Sequence, residues 1–298
     1  MPTDVNTGSG EKQSAARLSV LVALGLALLK TAAFLATGSV AVLASAADSL
    51  MDVLASGVNY GAIRVAETPA DHEHRYGHGK AEGMAGLFQS LVIGVSAAFL
   101  IYESIRRLSF GPDLQQPITG ITVMAVSMVV SALLVRRLRR VAREQESLAL
   151  AADSLHYLSD VLANACVLAA LAAYALTGAT WIDPVMSLGL SIWILWSVWA
   201  VLRESVDNLM DRELPEEERA RIRKALLGGA DGIRGYHDLR TRRSGSCRFV
   251  DVHLEVDREL SFVDAHRVAE DVVAAIEGAL PLTLATVHAD PWPPDPED

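Results

Sequence analysis

Six apolar runs, each long enough to cross a bilayer as a helix, constrain this chain more than any other feature. They are Leu18–Leu35, Val40–Ala66, Ala81–Leu108, Ile118–Leu138, Leu148–Leu176 and Trp181–Leu202. Lipid offers no water to backbone N–H and C=O groups, so runs of this length read as helices that satisfy their own amides. The first run is too long for a signal sequence and five more follow it, so it reads as a retained span. Lys and Arg concentrate in the loops after the second and fourth runs, at Arg75, Lys80, Arg136, Arg137, Arg139, Arg140 and Arg143. The loop after the third run holds only Arg106 and Arg107. This asymmetry places those two basic loops, and both chain termini, on the cytoplasmic side.

Two of the runs carry charge where charge is expensive. A carboxylate near the bilayer centre costs about 2.5–3.5 kcal/mol on insertion scales and persists only where something rewards it. At about 100° per residue, Asp48, Asp52 and Asn59 share one helical stripe, and Asp153, His156, Asp160 and Asn164 share another. If these stripes face each other, carboxylates and an imidazole meet inside the membrane, the donor set of a tetrahedral divalent metal site. Polar helix–helix contacts are the plainer explanation of such residues. Two pairs at i, i+4 spacing fit a site better. Ala46-Ala-Asp-Ser-Leu50 recurs as Ala151-Ala-Asp-Ser-Leu155, a weak hint of an inverted repeat.

Beyond Leu209 the character changes. Pro215–Leu227 opens on Pro and Glu as a helix does. His237–Arg243 and Arg248–Asp257 read as strands around Ser244-Gly-Ser. In the second, Val250, Val252, Leu254 and Val256 alternate with polar residues including His253. Phe262–Leu280 is an amphipathic helix with His266 at the edge of its apolar face, and Leu282–His288 is a third strand. The expected architecture is therefore an all-α six-helix transmembrane domain, 16–208, followed by a small cytoplasmic α+β domain, 209–291. The strand and helix order in that domain is helix–strand–strand–helix–strand. Residues 1–15 read as a flexible polar tail and 292–298 as a second tail. With 51% hydrophobic and 21% charged residues in 298, a membrane half joined to a polar half is the natural division. The net charge of −10 argues against a nucleic-acid partner. Cys166 and Cys247 fit no metal-thiolate spacing and fall in different domains.

Seven of the eight histidines lie outside the apolar runs. Asp71, His74 and His78, after the second run, have ligand-like spacing, although a solvated polar turn carries the same residue types. His237, His253, His266 and His288, the last followed by Asp290, give the soluble domain a second donor set, with unrelated surface histidines as the alternative.

These motifs carry a family resemblance. Asp48-x-x-x-Asp52, Pro69-Ala-Asp71 through Tyr76-Gly-His78-Gly-Lys80-Ala-Glu82, His156-x-x-Ser-Asp160, Leu209-Met-Asp211-Arg, His237-Asp-Leu-Arg-Thr-Arg242, His253-Leu-Glu255 and His288-x-Asp290-Pro291 resemble the cation diffusion facilitator family, of the bacterial ferrous-iron and zinc efflux type. The resemblance runs from the first span to Pro291. It implies a transport site of Asp48, Asp52, His156 and Asp160, and a second site of Asp71, His74 and His78. It implies a binuclear cytoplasmic site of His237, His253, His266, His288 and Asp290, with His266 bridging two ions, in a metallochaperone-like fold. It also implies a Lys80–Asp211 salt bridge coupling the two halves, and a homodimer in the bacterial inner membrane that exchanges Zn2+, or Cd2+ or Fe2+, for protons. Zinc would be both substrate and structural or regulatory ligand. Ala289 and His72 depart from the pattern; Ala289 bears on the strength of the cytoplasmic site, and His72 is an extra imidazole beside His74.

The competing readings are a membrane metal receptor that does not transport, and an efflux carrier whose ion is Fe2+ or Mn2+. An imidazole among carboxylates favours zinc or cadmium over manganese. An intramembrane aspartyl protease would need a Gly-x-Gly-Asp motif, which the sequence does not contain. The chain reads as a secondary active transporter and not an enzyme.

Overall fold

The computed structural model describes residues 6–38, 40–110 and 118–292. The helices of the amino-terminal unit are α1 (Asn6–Thr37), α2 (Val40–Ala66), α3 (Lys80–Phe110), α4 (Ile118–Glu144), α5 (Leu148–Thr177) and α6 (Ile182–Leu209). Five of them are long and apolar enough to cross a membrane. α2 has the length too, at 27 residues, and is the helix that carries Asp48 and Asp52. The polar tail expected through residue 15 is different: α1 already begins at Asn6, and Lys12 and Ala15 are buried. Lys12 is held in the helix bundle by its ion pair with Glu82.

α1 packs on α2 and α4, α4 on α5, and α3 against α2 and α5. The main core joins Ala15, Ile63, Ala85, Leu138, Leu150 and Tyr157 from five helices. A second cluster joins Ile93 of α3 and Leu155 of α5 to Ile194 and Val198 of α6. Small residues let these backbones approach, as membrane helices require in the absence of a hydrophobic driving force between them. At Gly86 a Cβ would meet Ser205 Oγ at 2.5 Å, so α3 and α6 approach closely there. Leu28, Leu35, Phe99 and Trp196 point outward, as a lipid-facing surface should. Ser147 caps α5, its hydroxyl accepting from the Leu150 N–H, and Gly178 ends it in the left-handed conformation.

The carboxyl-terminal unit comprises α7 (Glu216–Gly228), β1 (Ile233–Ser244), β2 (Cys247–Asp257), α8 (Phe262–Ala279) and β3 (Thr283–Trp292). The sheet order is β1-β2-β3, with β1 antiparallel and β3 parallel to β2. Gly245, at φ 59°, turns the two-residue hairpin. Val250, Val252, Leu254 and Val256 pack under α7 and α8, against Ile222, Leu226, Val272 and Ile276. β3 runs further than expected, through Asp290 to Trp292, because it pairs residue by residue with β2 as far as Asp257. Residues 293–298, most of the expected tail, lie outside the described residues.

Candidate metal centres

α2 and α5 bring Asp52, His156 and Asp160 together. His156 Nε2 lies 2.9 Å from Asp52 Oδ1 and 3.8 Å from Asp160 Oδ2. One donor atom from each residue falls within 4.8 Å of the others. Asp48, one turn before Asp52, is exposed and stands outside this trio. One imidazole and two carboxylates suit a borderline divalent ion, and a tetrahedral ion has room for a fourth donor. A cation also stands nearby: Lys30 of α1 donates to Ser49 Oγ at 2.7 Å and acts electrostatically on both Asp48 and Asp160.

Asp153 shares the stripe of His156 but not its site. Its carboxylate is fully buried and accepts from Ser19 Oγ at 2.6 Å and Ser56 Oγ at 3.5 Å. Ser56 also pairs with Tyr157 at 2.9 Å, and the Tyr157 hydroxyl donates to the Ser19 carbonyl at 3.4 Å. Asn59, on the α2 stripe, is buried as well. The hydroxyls of Ser19, Ser56 and Tyr157 form a hydrogen-bonded polar plug around Asp153, next to the trio on α5. The sequence signal that could have found it is Ser19 and Ser56 inside apolar runs.

α5 is asymmetric about the site. From Ala149 to Ser159 most of its residues are buried, with Ala149, Ala152 and Asp153 at 0% exposure. Between Asp160 and Thr177 only Ala170 is buried. The buried part of α5 therefore lies on the amino-terminal side of the trio and includes His156 itself.

The loop cluster forms as well. Asp71 Oδ1 accepts from the backbone N–H groups of Glu73 and His74 at 2.9 and 2.6 Å. His74 Nδ1 and His78 Nε2 lie 3.4 and 3.5 Å from the same carboxylate. The His74 N–H holds the Asp71 carboxyl below its ordinary range; desolvation opposes it, and the Glu73 N–H and both imidazoles reinforce it. His72 turns away, its Nδ1 3.3 Å from Arg75. Residues 70–79 belong with the carboxyl-terminal unit. Tyr76 meets Phe249 edge-on at 5.6 Å, and the Arg242 guanidinium covers both rings at 4.5 and 4.8 Å. Gly79 lies so close to the hairpin that a Cβ would meet the Ser244 carbonyl oxygen at 2.4 Å. Spacing alone gave no sign of this docking.

In the sheet, strand register builds the third cluster. His237 stands opposite His253, and His253 opposite His288, so three imidazoles cross the strands in one row. Asp290 gathers them: its Oδ2 lies 2.8 Å from His253 Nδ1 and 3.3 Å from His237 Nε2, and its Oδ1 lies 3.0 Å from His288 Nε2. Glu255 lies 3.1 Å from His237 Nδ1. His266 is not in this group. It rises from α8, 62% exposed, beside Glu270 and stacked on Phe262, and shares with His288 a cavity of about 320 Å³. Lys80 opens α3, while Asp211 lies 3.5 Å from Arg242 Nη1.

Residues 16–210 match the cation efflux transmembrane domain, and residues 214–292 the cation efflux protein cytoplasmic domain. A cation-efflux pump, FieF, of Cronobacter sakazakii is 42% identical over 279 residues, covering 93% of this chain and 92% of the relative. FieF of Pectobacterium atrosepticum is 41% identical over 284 residues, covering 95% and 94%. The solved MamM CTD is 31% identical, covering 26% of this chain and 96% of that chain, with a TM-score of 0.25.

Proposed function

Because the chain belongs to the cation diffusion facilitator family of cation efflux proteins, we propose that it exports Zn2+, or chemically similar Cd2+ or Fe2+, from the cytoplasm in exchange for protons. The observation that carries this reading is the convergence of Asp52, His156 and Asp160 in a helical bundle of membrane-spanning length. The chain is a metal cation transporter, not an enzyme.

A hydrated cation reaches the trio from the cytoplasm, and protein oxygens and the His156 nitrogen replace its water. Asp48, one helical turn from Asp52, supplies the fourth ligand. The two positive charges offset carboxylates that are costly to bury in a bilayer. Rocking of one helix group against another opens the site to the far side. Protons then compete with the metal for the same donor atoms, so an inward proton gradient drives release. The protein acts as a homodimer in the bacterial inner membrane, with both termini cytoplasmic.

The loop cluster Asp71, His74 and His78, and the sheet cluster His237, His253, His288 and Asp290, have donor sets that fit zinc. Neutral imidazole and carboxylate are what such an ion takes, and the existing contacts to Asp71 and Asp290 hold the rings in place. His266, across the shared cavity, completes the second set. Metal there biases the cycle by binding one conformation better than another.

The test is zinc flux into sealed proteoliposomes with and without a pH gradient, in wild type and Asp160→Ala. Gradient-dependent flux that vanishes in the variant is expected. Zinc binding without flux in wild type would leave a metal receptor, and flux surviving in the variant would place the pathway elsewhere.

A further inference from the structure

Glu82 sits in the first turn of α3, and its side chain is 2% exposed. One carboxylate oxygen accepts from Lys12 Nζ of α1 at 2.8 Å, and Lys12 is itself 5% exposed. The other accepts from the hydroxyl of Ser147, the residue that caps α5. One buried carboxylate therefore ties the same end of three helices. Each of its partners is used: the ammonium neutralises the charge, and the hydroxyl that faces the carboxylate also accepts from the first turn of α5.

α5 is the helix of His156 and Asp160, and its buried residues concentrate on the side where this tie lies. His156 stands about 13 Å further along the helix axis, at 1.5 Å per residue. Between tie and ligands, Ala149, Ala152 and Asp153 are fully buried. An ion reaching the trio from this end must part the helices that Glu82 joins.

We propose that Lys12, Glu82 and Ser147 form a latch holding that end of the transport site shut, and that it opens when α3 parts from α1 and α5 during the cycle. A buried ion pair suits this role because it has two discrete states. Closed, it is desolvated and satisfied. Broken, each charge must regain water, so an intermediate separation is unfavourable. Glu82 is here a positioning residue, since it touches no metal ligand. The inference rests on the transport reading for its purpose, but its geometry does not.

The test uses the full chain in detergent without metal, so that it does not depend on flux. Cys166→Ser and Cys247→Ser remove the native thiols, and Ala152→Cys places a reporter at a fully buried position between latch and site. Lys12→Met and Glu82→Gln should each raise the maleimide labelling rate about tenfold by shifting the population toward the open end. The double variant should label no faster than the faster single, because both changes break one interaction. Unchanged rates, or single effects that multiply, would overturn the latch. If the charge variants fail to fold, Ser147→Ala removes one hydroxyl only and should still raise the rate about threefold; an unchanged rate there also overturns it. Labelling that behaves as expected alongside absent zinc flux would sink the transport reading and leave the latch standing.

Discussion

Asp52 of α2 and His156 of α5 meet at 2.9 Å although more than a hundred residues separate them in the chain. Their contact puts the one nitrogen donor of the trio among oxygens. Replacing it, in His156→Asp, makes the set all oxygen, which suits harder ions. Manganese flux should rise relative to zinc flux by about tenfold in proteoliposomes, with zinc flux falling. An unchanged zinc-to-manganese ratio would remove His156 from the selectivity site.

Asp153 is tied to hydroxyls of the bundle and lies outside the donor trio. Asp153→Ala deletes the acceptor of Ser19 and Ser56 in a fully buried cluster. It should lower stability by about 1–3 kcal/mol, read as a fall in unfolding temperature in detergent. The apparent KM for zinc flux should stay within about threefold of wild type, because no first contact to the metal is lost. A KM rise as large as that of Asp160→Ala would make Asp153 a ligand.

Docking of the 70–79 loop depends on a close backbone approach and a guanidinium between two rings. Gly79→Ala places a methyl into the Ser244 carbonyl, and Arg242→Ala removes a cation–π contact of about 0.5–2 kcal/mol. Both should speed hydrogen exchange across residues 71–79, Gly79→Ala more strongly. Exchange at the wild-type rate in both variants would show that the loop is held by something else.

Asp290 touches all three imidazoles of the row, so Asp290→Ala should cost more zinc than loss of any one histidine. Zinc at a hundredfold excess over its Kd stabilises a folded site by about 2.7 kcal/mol. Zinc-dependent protection of the carboxyl-terminal strands from exchange should appear in wild type, be reversed by chelator, and be lost in Asp290→Ala. Full protection in that variant would place the ion away from the row.

Glu218 accepts from Arg243 Nη2 at 2.7 Å and from Arg248 Nε at 2.8 Å. Partial burial works to raise its carboxyl, but the two guanidiniums outweigh it and the carboxyl lies below its usual range. A depressed carboxyl contributes stability that is complete above its unfolded value, about 4.5, and is lost as pH falls through the folded one. Acid should therefore loosen α7 below about pH 4.5 in wild type. Glu218→Gln should cost about 1–2 kcal/mol at neutral pH and flatten that acid slope. An equal slope in both proteins would assign the acid sensitivity to other carboxyls.

The membrane helices, the strand alternation of β2 and the candidate donor residues were legible in the chain because each depends on local rules. Lipid leaves a long apolar segment only the helix, and a period of two or 3.6 can be read from one segment alone. The early start of α1 was not legible, since Lys12 looks like a tail residue until Glu82 is beside it. The recurrence of Ala-Ala-Asp-Ser-Leu hid a difference: Asp48 stands exposed one turn before Asp52, while its counterpart Asp153 is sealed among hydroxyls.

The sequence by itself determined which segments cross the membrane, which faces are polar and which residue types wait there. Only the tertiary structure decided what those residues meet: His156 with Asp52, Asp153 with Ser19, Lys12 with Glu82, and three histidines in one row through strand register. Periodicity is a property of one segment. Which member of a stripe finds which partner depends on how one helix is rotated against another and how one strand is shifted along its neighbour. Close packing of small residues and ladder hydrogen bonds set those displacements across distances that no local pattern spans.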